Sequence, residues 1–559
     1  MLKGITSRRL ALEVLIQVEK NGAFVNSALA DALERKQLAV RDRAFVTALV
    51  LGVIRQRSAL DAVIATHASK GVKKLPIPLL NVLRLGVFQL QDMPDIPPSA
   101  VLNTCGELAK IVGHVGQVRF TNGLLRGYLR SKTDPVEASG IRNCRLEASE
   151  STFKHSEGFI LRPPRAPLRS PTGRLLAALG SLSLLALPKP RFQRTLTERS
   201  LRDTIERRGG LHPPAKAGNE SLSDADNLQD VEKLSATYSM PIWLVDRWLK
   251  NFGGLETIKL LGRAQQPSPL TLRACTRSIT VDELESMLKQ DGLNVRRGVL
   301  VPTCLIIESK STKKGFKGAP KNISGYKDGL FSLQDEASAF VSIVVDPQPG
   351  ETVVDLCAAP GSKTMHLAEL MNNYGQVIAI DQNEKQLDQI KINRSRLGLT
   401  NIQLLIADGR SVSLAKQADR VLLDAPCMGT GVLSKRPDVR YHRAASNIGE
   451  LVTLQRELLN NAASLVKPGG VLVYSTCSIE PEENIENMQW FLTNYQEFQG
   501  SDLTPYIPSV TLEKWSALEQ PQLTGAMIRQ NAINGFIQLL PSRHDVSGFF
   551  VCRMVKQGQ

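Results

Sequence analysis

The stretch Val353-Val354-Asp355-Leu356-Cys357-Ala358-Ala359-Pro360-Gly361-Ser362-Lys363-Thr364 decides how the rest of the chain is read. Val353 to Leu356 is short, apolar and β-branched, the pattern of a buried strand. Ala358 to Ser362 is a run of small residues around one proline, which turns the chain sharply. From Lys363 onward (KTMHLAELM) the apolar spacing is helical. A small-residue turn from a parallel strand into a helix lets a nucleotide-like ligand approach the backbone beside the helix N-terminus. Taken alone the turn is a weak signal, because Gly-rich loops are common and the full GxGxxG pattern is absent.

Four more strands strengthen that signal. Val377–Asp381 (VIAID) ends in an acid twenty residues after Gly361, suited to the two hydroxyls of a ribose. Ile402–Asp408 ends in Asp408, Arg420–Cys427 carries Asp424 and Cys427, and Val471–Ser478 carries Cys477. Helical patterns at Glu384–Leu397 and Leu451–Leu465 fill gaps between them, the latter closed by Lys467-Pro468-Gly469-Gly470. Alternating strands and helices predict an α/β fold with a doubly wound parallel sheet and ligands at the carboxyl ends of its strands. One acid at a strand end, taken alone, reads more readily as a helix cap. Four polar strand ends in register do not.

CAAPGSKT, DAPC and STCS, in this order, resemble the RNA cytosine-5 methyltransferases, and among them the ribosomal RNA small subunit methyltransferase B (Sun/Fmu) type. The resemblance implies a Rossmann-like class I methyltransferase sheet with S-adenosyl-L-methionine as cofactor. Its loop contacts would be Cys357, Ala358, Ala359, Pro360, Gly361, Ser362 and Lys363, with Asp381 at the ribose, Asp408 at the adenine end and Asp424 nearby. It also implies catalytic roles for Cys477, Cys427 and Asp424. The chemistry explains the two cysteines. Carbon 5 of cytosine is too weak a nucleophile until a thiolate adds to carbon 6. By resemblance Cys477 is that nucleophile, Cys427 assists release of the methylated RNA, and Asp424 hydrogen-bonds the ring nitrogen that gains a proton. The target base must leave its stack, so single-stranded or loop RNA is expected. A cysteine at a strand end is ordinarily a small buried hydrophobe, the reading kept for the other six.

The chain also departs from the family pattern. Ser362 stands where the family has Gly, which would cost strain, and affinity for the cofactor, if that position needs positive φ or a contact-distance approach of the backbone. Met428-Gly429-Thr430-Gly431 comes after DAPC where Ser-Gly is usual, and Lys435-Arg436-Pro437-Asp438 has Lys for the family's Arg. In LTLRAC, Arg273 matches an RNA-gripping arginine, but Cys275 replaces the accompanying Asn.

Upstream, the pattern is helical to about Leu129, with stripes Leu10/Val14/Leu15/Val18, Phe45/Leu49/Gly52/Val53 and Val82/Leu85/Val87/Phe88/Leu90. Met93-Pro94-Asp95-Ile96-Pro97-Pro98 breaks it before the next helix. This resembles a NusB-type domain, with Arg41-Asp42-Arg43 and Arg55-Gln56-Arg57 as RNA-phosphate candidates or, as readily, solvated faces. Prolines crowd Lys132–Glu232, and between Leu161 and Arg208 eleven Lys/Arg stand against three acids. A disordered basic insert is expected there, either an RNA tether or no selected module at all. The expected domains are therefore 1–135, all-helical and NusB-like; 136–232, insert; 233–330, a small α+β RNA-binding subdomain; and 331–559, catalytic. Lys310, Lys313, Lys314, Lys317 and Lys321 form a phosphate-facing edge or a solvated loop. Phe536–Leu540 and Gly548–Val555 are expected to form a terminal antiparallel hairpin.

Composition agrees with a polyanionic partner. The 559 residues carry 69 Lys+Arg against 54 Asp+Glu, a formal +15 and a pI near 9.4. No apolar run could span a bilayer, and the eight scattered cysteines include no CxxC pair, so neither membrane, metal site nor disulfide scaffold is expected. The N-terminus lacks a secretory signal, so the cytoplasm is expected, or an organelle such as the chloroplast if the natural N-terminus is longer. The expected partner is RNA, and small-subunit ribosomal RNA by resemblance, bound by a monomer. Two rivals remain open: an enzyme of the same fold acting on transfer RNA, and a non-catalytic RNA-binding assembly factor.

Overall fold

Among the described residues seven α-helices open the chain, and the apolar stripes of the sequence are what they pack together. The structure, a computed structural model, describes residues 4–36, 38–68, 71–133, 224–308, 320–518 and 528–558. The helices are α1 (Ile5–Asn21), α2 (Val25–Arg35), α3 (Val40–Arg55), α4 (Arg57–His67), α5 (Ile77–Asp92), α6 (Pro98–Val112) and α7 (Val115–Thr133). Leu10, Val14, Leu15 and Val18 meet Leu49, Val53, Val82, Leu85 and Val87 in one core. α3 and α5 approach closely at Gly52, where a Cβ would lie 2.0 Å from Phe88 Cζ. The proline-rich break separates α5 from α6, whose first residue is Pro98.

The basic clusters of this domain do not form the outward face suggested by the sequence. Arg43 donates to the Leu33 carbonyl (2.7 Å), Arg55 to the Ser434 carbonyl (3.1 Å), and Arg57 pairs with Glu19 (2.8 Å). Their guanidinium heads find internal acceptors. Arg41 remains exposed.

Helix Asp224–Tyr238 begins before residue 232, so the boundary expected there falls inside a helix. The rest of the expected insert, and Lys310, Lys313, Lys314 and Lys317, lie outside the described residues. A second helix, Ile242–Gln265, bends at Gly253 (φ 75°) and buries Leu244 and Trp248. Next comes a small antiparallel sheet, in the order β2 (Val295–Arg297), β3 (Cys304–Ile307), β1 (Leu270–Ala274), β4 (Phe331–Leu333). Helix Val281–Gln290 packs on it, started by a reciprocal Thr280–Glu283 capping box.

The large sheet comprises β5 (Thr352–Asp355), β6 (Gln376–Asp381), β7 (Ile402–Ile406), β8 (Ala418–Asp424), β9 (Val466–Thr476), β10 (Phe498–Gly500), β11 (Phe536–Leu539) and β12 (Phe549–Lys556). Its order is β10-β12-β9-β8-β5-β6-β7, with β11 on β12. β5 to β9 run parallel, and β12 enters antiparallel between β9 and β10. Alternation along the strands fills two separate cores. Val353, Val377, Leu422, Val473 and Val551 face one, while Val354, Ile378, Leu423, Tyr474 and Phe550 face the other. Both faces are covered, and the polar strand ends are left as the open edge of the α/β layers. β9 starts earlier than its sequence pattern, taking Lys467-Pro468-Gly469-Gly470 into the strand. The expected terminal hairpin is β11–β12. Among the described residues no helix is long and apolar enough to cross a membrane.

Candidate active site

β5 runs into the loop 356–361 and then helix Ser362–Leu370. The turn depends on Gly361, whose φ is 99° and whose missing Cβ would lie 2.5 Å from Ile390 Cγ1. Ser362 opens the helix and is not among the positive-φ residues. The backbone strain conditionally expected at Ser362 is therefore absent, because Gly361 supplies the left-handed residue. Asp381 braces the loop, accepting from Ala359 N (3.0 Å) and Asn383 N (2.9 Å). Burial, then Asp355, Asp381, Asp424 and Asp408, push the Cys357 thiol well above its ordinary range. Four strand-end carboxylates thus converge on this loop.

They are not equivalent. Asp408 is engaged by Arg410, which donates from Nη2 (2.6 Å) and Nε (3.0 Å) and holds its carboxyl below the usual range. Asp355, which the sequence reading placed only within the first strand, is buried and accepts from Thr364 Oγ1 (2.7 Å). Its second oxygen has no partner among the described residues, and burial pushes its carboxyl up to about 7. Asp424 accepts from Lys363 Nζ (2.6 Å) on one oxygen and Ser475 Oγ (2.7 Å) on the other. The turn and the strand end, 61 residues apart, are thereby locked together.

Beside Asp424 lie the two thiols, Cys427 Sγ and Cys477 Sγ, 3.4 Å apart. Cys427 is buried and Cys477 half-buried. The hydrogen bond between the two thiols lowers the Cys477 thiol below its ordinary value. Arg436 and Lys363 add to that effect. The same bond, with burial, raises the Cys427 thiol well above its own. The residues flanking Cys477 are pinned by Asn484, which accepts from Thr476 Oγ1 (2.6 Å) and donates to the Ser478 carbonyl (3.0 Å). Glu483 accepts from Met428 N (2.9 Å) and Gln455 Nε2 (2.9 Å), fixing the turn after Cys427. Sequence reasoning missed Ser475, Glu483 and Asn484. The run Pro481-Glu482-Glu483-Asn484 is legible only as a helix start, although acids directly after a thiol-bearing strand end are an available signal.

Lys435-Arg436-Pro437-Asp438 is an anchor rather than an open loop. Lys435 pairs with Asp335, and Asp438 accepts from Val25 N (2.8 Å). Arg440, fully buried, donates to the carbonyls of Arg55, Ser239 and Ala264 (3.1–3.3 Å). Arg443 returns to the Cys427 carbonyl (3.1 Å). Arg436 stays exposed near the thiols. The N-terminal helices therefore grip the segment that succeeds Cys427. Arg273 lies apart from the site, buried against Glu369 and Gln334, and offers nothing to RNA. Among the described residues no group of three or more His, Cys, Asp or Glu is arranged to hold a metal ion.

Glu483 carries a pH prediction. Burial pushes its carboxyl from 4.5 up to about 7, so the folded chain holds this proton more tightly than the unfolded chain does. Between these values the folded state binds the extra proton, and stability falls as pH rises. Glu483→Gln keeps an oxygen for Met428 N and removes the titration. Its melting temperature should match the parent's near about pH 5 and exceed it near about pH 8, by an amount worth at most about 3 kcal/mol. A difference that does not change with pH would contradict this.

The chain has known relatives in each of its parts. Residues 342–555 match the family described as 16S rRNA methyltransferase RsmB/F, residues 5–130 the NusB family, and residues 240–312 the ferredoxin-like domain of the RsmF/B-like methyltransferases. The probable ribosomal RNA small subunit methyltransferase B of Bacillus subtilis is 29% identical over 560 aligned positions, covering 100% of both chains. The ribosomal RNA small subunit methyltransferase B of Vibrio cholerae is 32% identical over 57% of this chain and 75% of that protein. A mouse 28S rRNA (cytosine-C(5))-methyltransferase is 32% identical over 60% of this chain and 41% of that protein. The crystal structure of PH0851 superposes with a TM-score of 0.65 at 25% identity, covering 98% of this chain and 99% of that one.

Proposed function

The chain belongs to the RsmB/F family of ribosomal RNA methyltransferases, and from that premise we propose that it methylates carbon 5 of a cytosine in small-subunit ribosomal RNA through a covalent Cys477–RNA intermediate. The observation that carries the reading is the thiol pair, 3.4 Å apart, set beside an Asp424 locked by Lys363 and Ser475.

Each residue then has a separable task. Cys477, its pKa lowered, supplies the thiolate that forms a bond to carbon 6 and makes carbon 5 nucleophilic. Asp424, held in place by Lys363 and Ser475 before the reaction, supplies the condition for electrostatic stabilisation of charge that develops on the ring. Once carbon 5 has accepted the methyl group and lost its proton, the carbon–sulfur bond breaks. Cys427 then donates to the departing thiolate, the same bond that stabilises Cys477 at rest. Glu483 and Arg443 hold the Cys427 turn at that distance.

The residues present fit S-adenosylmethionine. Carboxylates around the 357–363 loop suit a cationic ligand, and Asp381 at its strand end suits ribose hydroxyls. The first helical turn after Gly361 has no side-chain cap, which leaves backbone N–H groups for a carboxylate. When bound there, the cofactor supplies an electrophilic methyl group.

The test is transfer of labelled methyl from S-adenosylmethionine to naked small-subunit ribosomal RNA, with nucleoside digestion afterwards. Label in 5-methylcytidine is expected. Label confined to transfer RNA offered in parallel would move the substrate to that class, and label in no RNA would leave a non-catalytic binder.

A further inference from the structure

We propose that Cys477 is a site of reversible oxidation by hydroperoxides, with Cys427 as its resolving thiol. The product is a Cys427–Cys477 disulfide that removes the nucleophile. Two steps balance the chemistry. The Cys477 thiolate attacks a peroxide oxygen, the O–O bond breaks, and Cys477 becomes a sulfenic acid while hydrogen peroxide is reduced to water. The Cys427 sulfur then attacks the sulfenic sulfur, forming the S–S bond. Hydroxide leaves and takes up the Cys427 proton as a second molecule of water.

The geometry favours closure. A disulfide needs sulfurs about 2.05 Å apart and Cα atoms roughly 4.4–6.8 Å apart. The thiols already stand at 3.4 Å. They extend from neighbouring parallel strands whose register pairs Asp424 with Ser475, and Ala425 N still bonds the Ser475 carbonyl beyond it (2.9 Å). Adjacent strands run about 4.8 Å apart, inside the Cα window. Asn484 holds the Cys477 side and Glu483 and Arg443 the Cys427 side, so rotation of the two side chains is the movement that closes the remaining gap.

Chemical selectivity points to the same pair. Among the described cysteines, burial pushes Cys105 and Cys304 up to about 12, and Cys275, Cys357 and Cys552 are also raised. Cys477 is the one described cysteine whose thiol is lowered, and it is only partly buried, so it is the thiol most readily ionised and reached by peroxide. Cys427 is buried behind it, and its neighbour within reach is Cys477. Closure would also spare Cys477 from further oxidation, which a solitary thiolate cannot avoid.

The disulfide rests on the placement of the two thiols and the direction of the Cys477 shift, whereas the loss of activity rests on the proposed nucleophilic role of Cys477. The test treats the full chain with a small molar excess of hydrogen peroxide, blocks free thiols with N-ethylmaleimide, and maps peptides without reduction. The Cys427 and Cys477 peptides should appear joined, and methyl transfer should fall away and return with dithiothreitol. In Cys427→Ser, Cys477 should pass to the sulfinic acid, which dithiothreitol does not reverse. Recovery of both cysteines as maleimide adducts after peroxide, or the same sulfinic yield with and without Cys427, would overturn the proposal. A joined peptide with methyl transfer unaffected would uphold the oxidation site and refute Cys477 as nucleophile.

Discussion

Cys477→Ala should lose methyl transfer by at least about 10³-fold and form no covalent RNA adduct, whereas Cys427→Ala should trap one. The contrast comes from the asymmetry of the pair rather than from its symmetry of place. Both thiols follow neighbouring strands, but the bond between them lowers the Cys477 thiol and raises the Cys427 thiol. Removing Cys477 leaves no sulfur able to add to carbon 6. Removing Cys427 leaves that sulfur in place but takes away the S–H that meets it on departure. Elimination should stall, and a complex stable to denaturing electrophoresis should accumulate, dependent on Cys477 and on S-adenosylmethionine. The lost donor should also raise the Cys477 thiol, so adduct formation in Cys427→Ala should require more alkaline pH than turnover in the parent. A trapped adduct in Cys477→Ala and none in Cys427→Ala would show that the roles are exchanged. Undiminished methylation in both would remove thiol chemistry from this chain.

The sequence made the strand ends legible because periodicity reports where a chain is buried on both faces. VVDL, VIAID, IQLLIAD, RVLLDAPC and VLVYSTCS each became a parallel strand, and their polar termini arrived at one edge. What periodicity cannot report is which distant groups a polar side chain will meet. Ser475 bonds Asp424 only because β8 and β9 are neighbours, and Glu483 and Asn484 reach back to the thiol turns from beyond the strand. The same blindness explains the arginines. Arg55 and Arg57 resemble phosphate contacts because a guanidinium on a helix face reads as solvated until its tertiary partner is known. The Ser362 expectation turned on a local conformation, and the glycine one residue earlier had already taken it.

Arg273 carries the largest expected effect on stability. Its sequence context suggests an RNA contact on β1, but its guanidinium is buried, donating to Gln334 Oε1 (2.6 Å) and pairing through two nitrogens with Glu369. Glu369 lies on helix Ser362–Leu370, so the pair joins the small sheet to the helix that begins at the Gly361 turn. Arg273→Met keeps most of the apolar stem but strands Glu369 as a buried charge, which costs about 3–5 kcal/mol. Replacing both partners, as in Arg273→Met with Glu369→Leu, removes the stranded charge and should recover most of that loss. Urea denaturation of the two single variants and the double variant gives the coupling directly. RNA affinity, measured where all forms remain folded, should be nearly unchanged in the double variant. If Arg273→Met instead kept its stability and lost RNA binding, the arginine would face the nucleic acid and the buried pair would be refuted. With Arg273 turned inward to Glu369, position 275 has no RNA-facing arginine to assist.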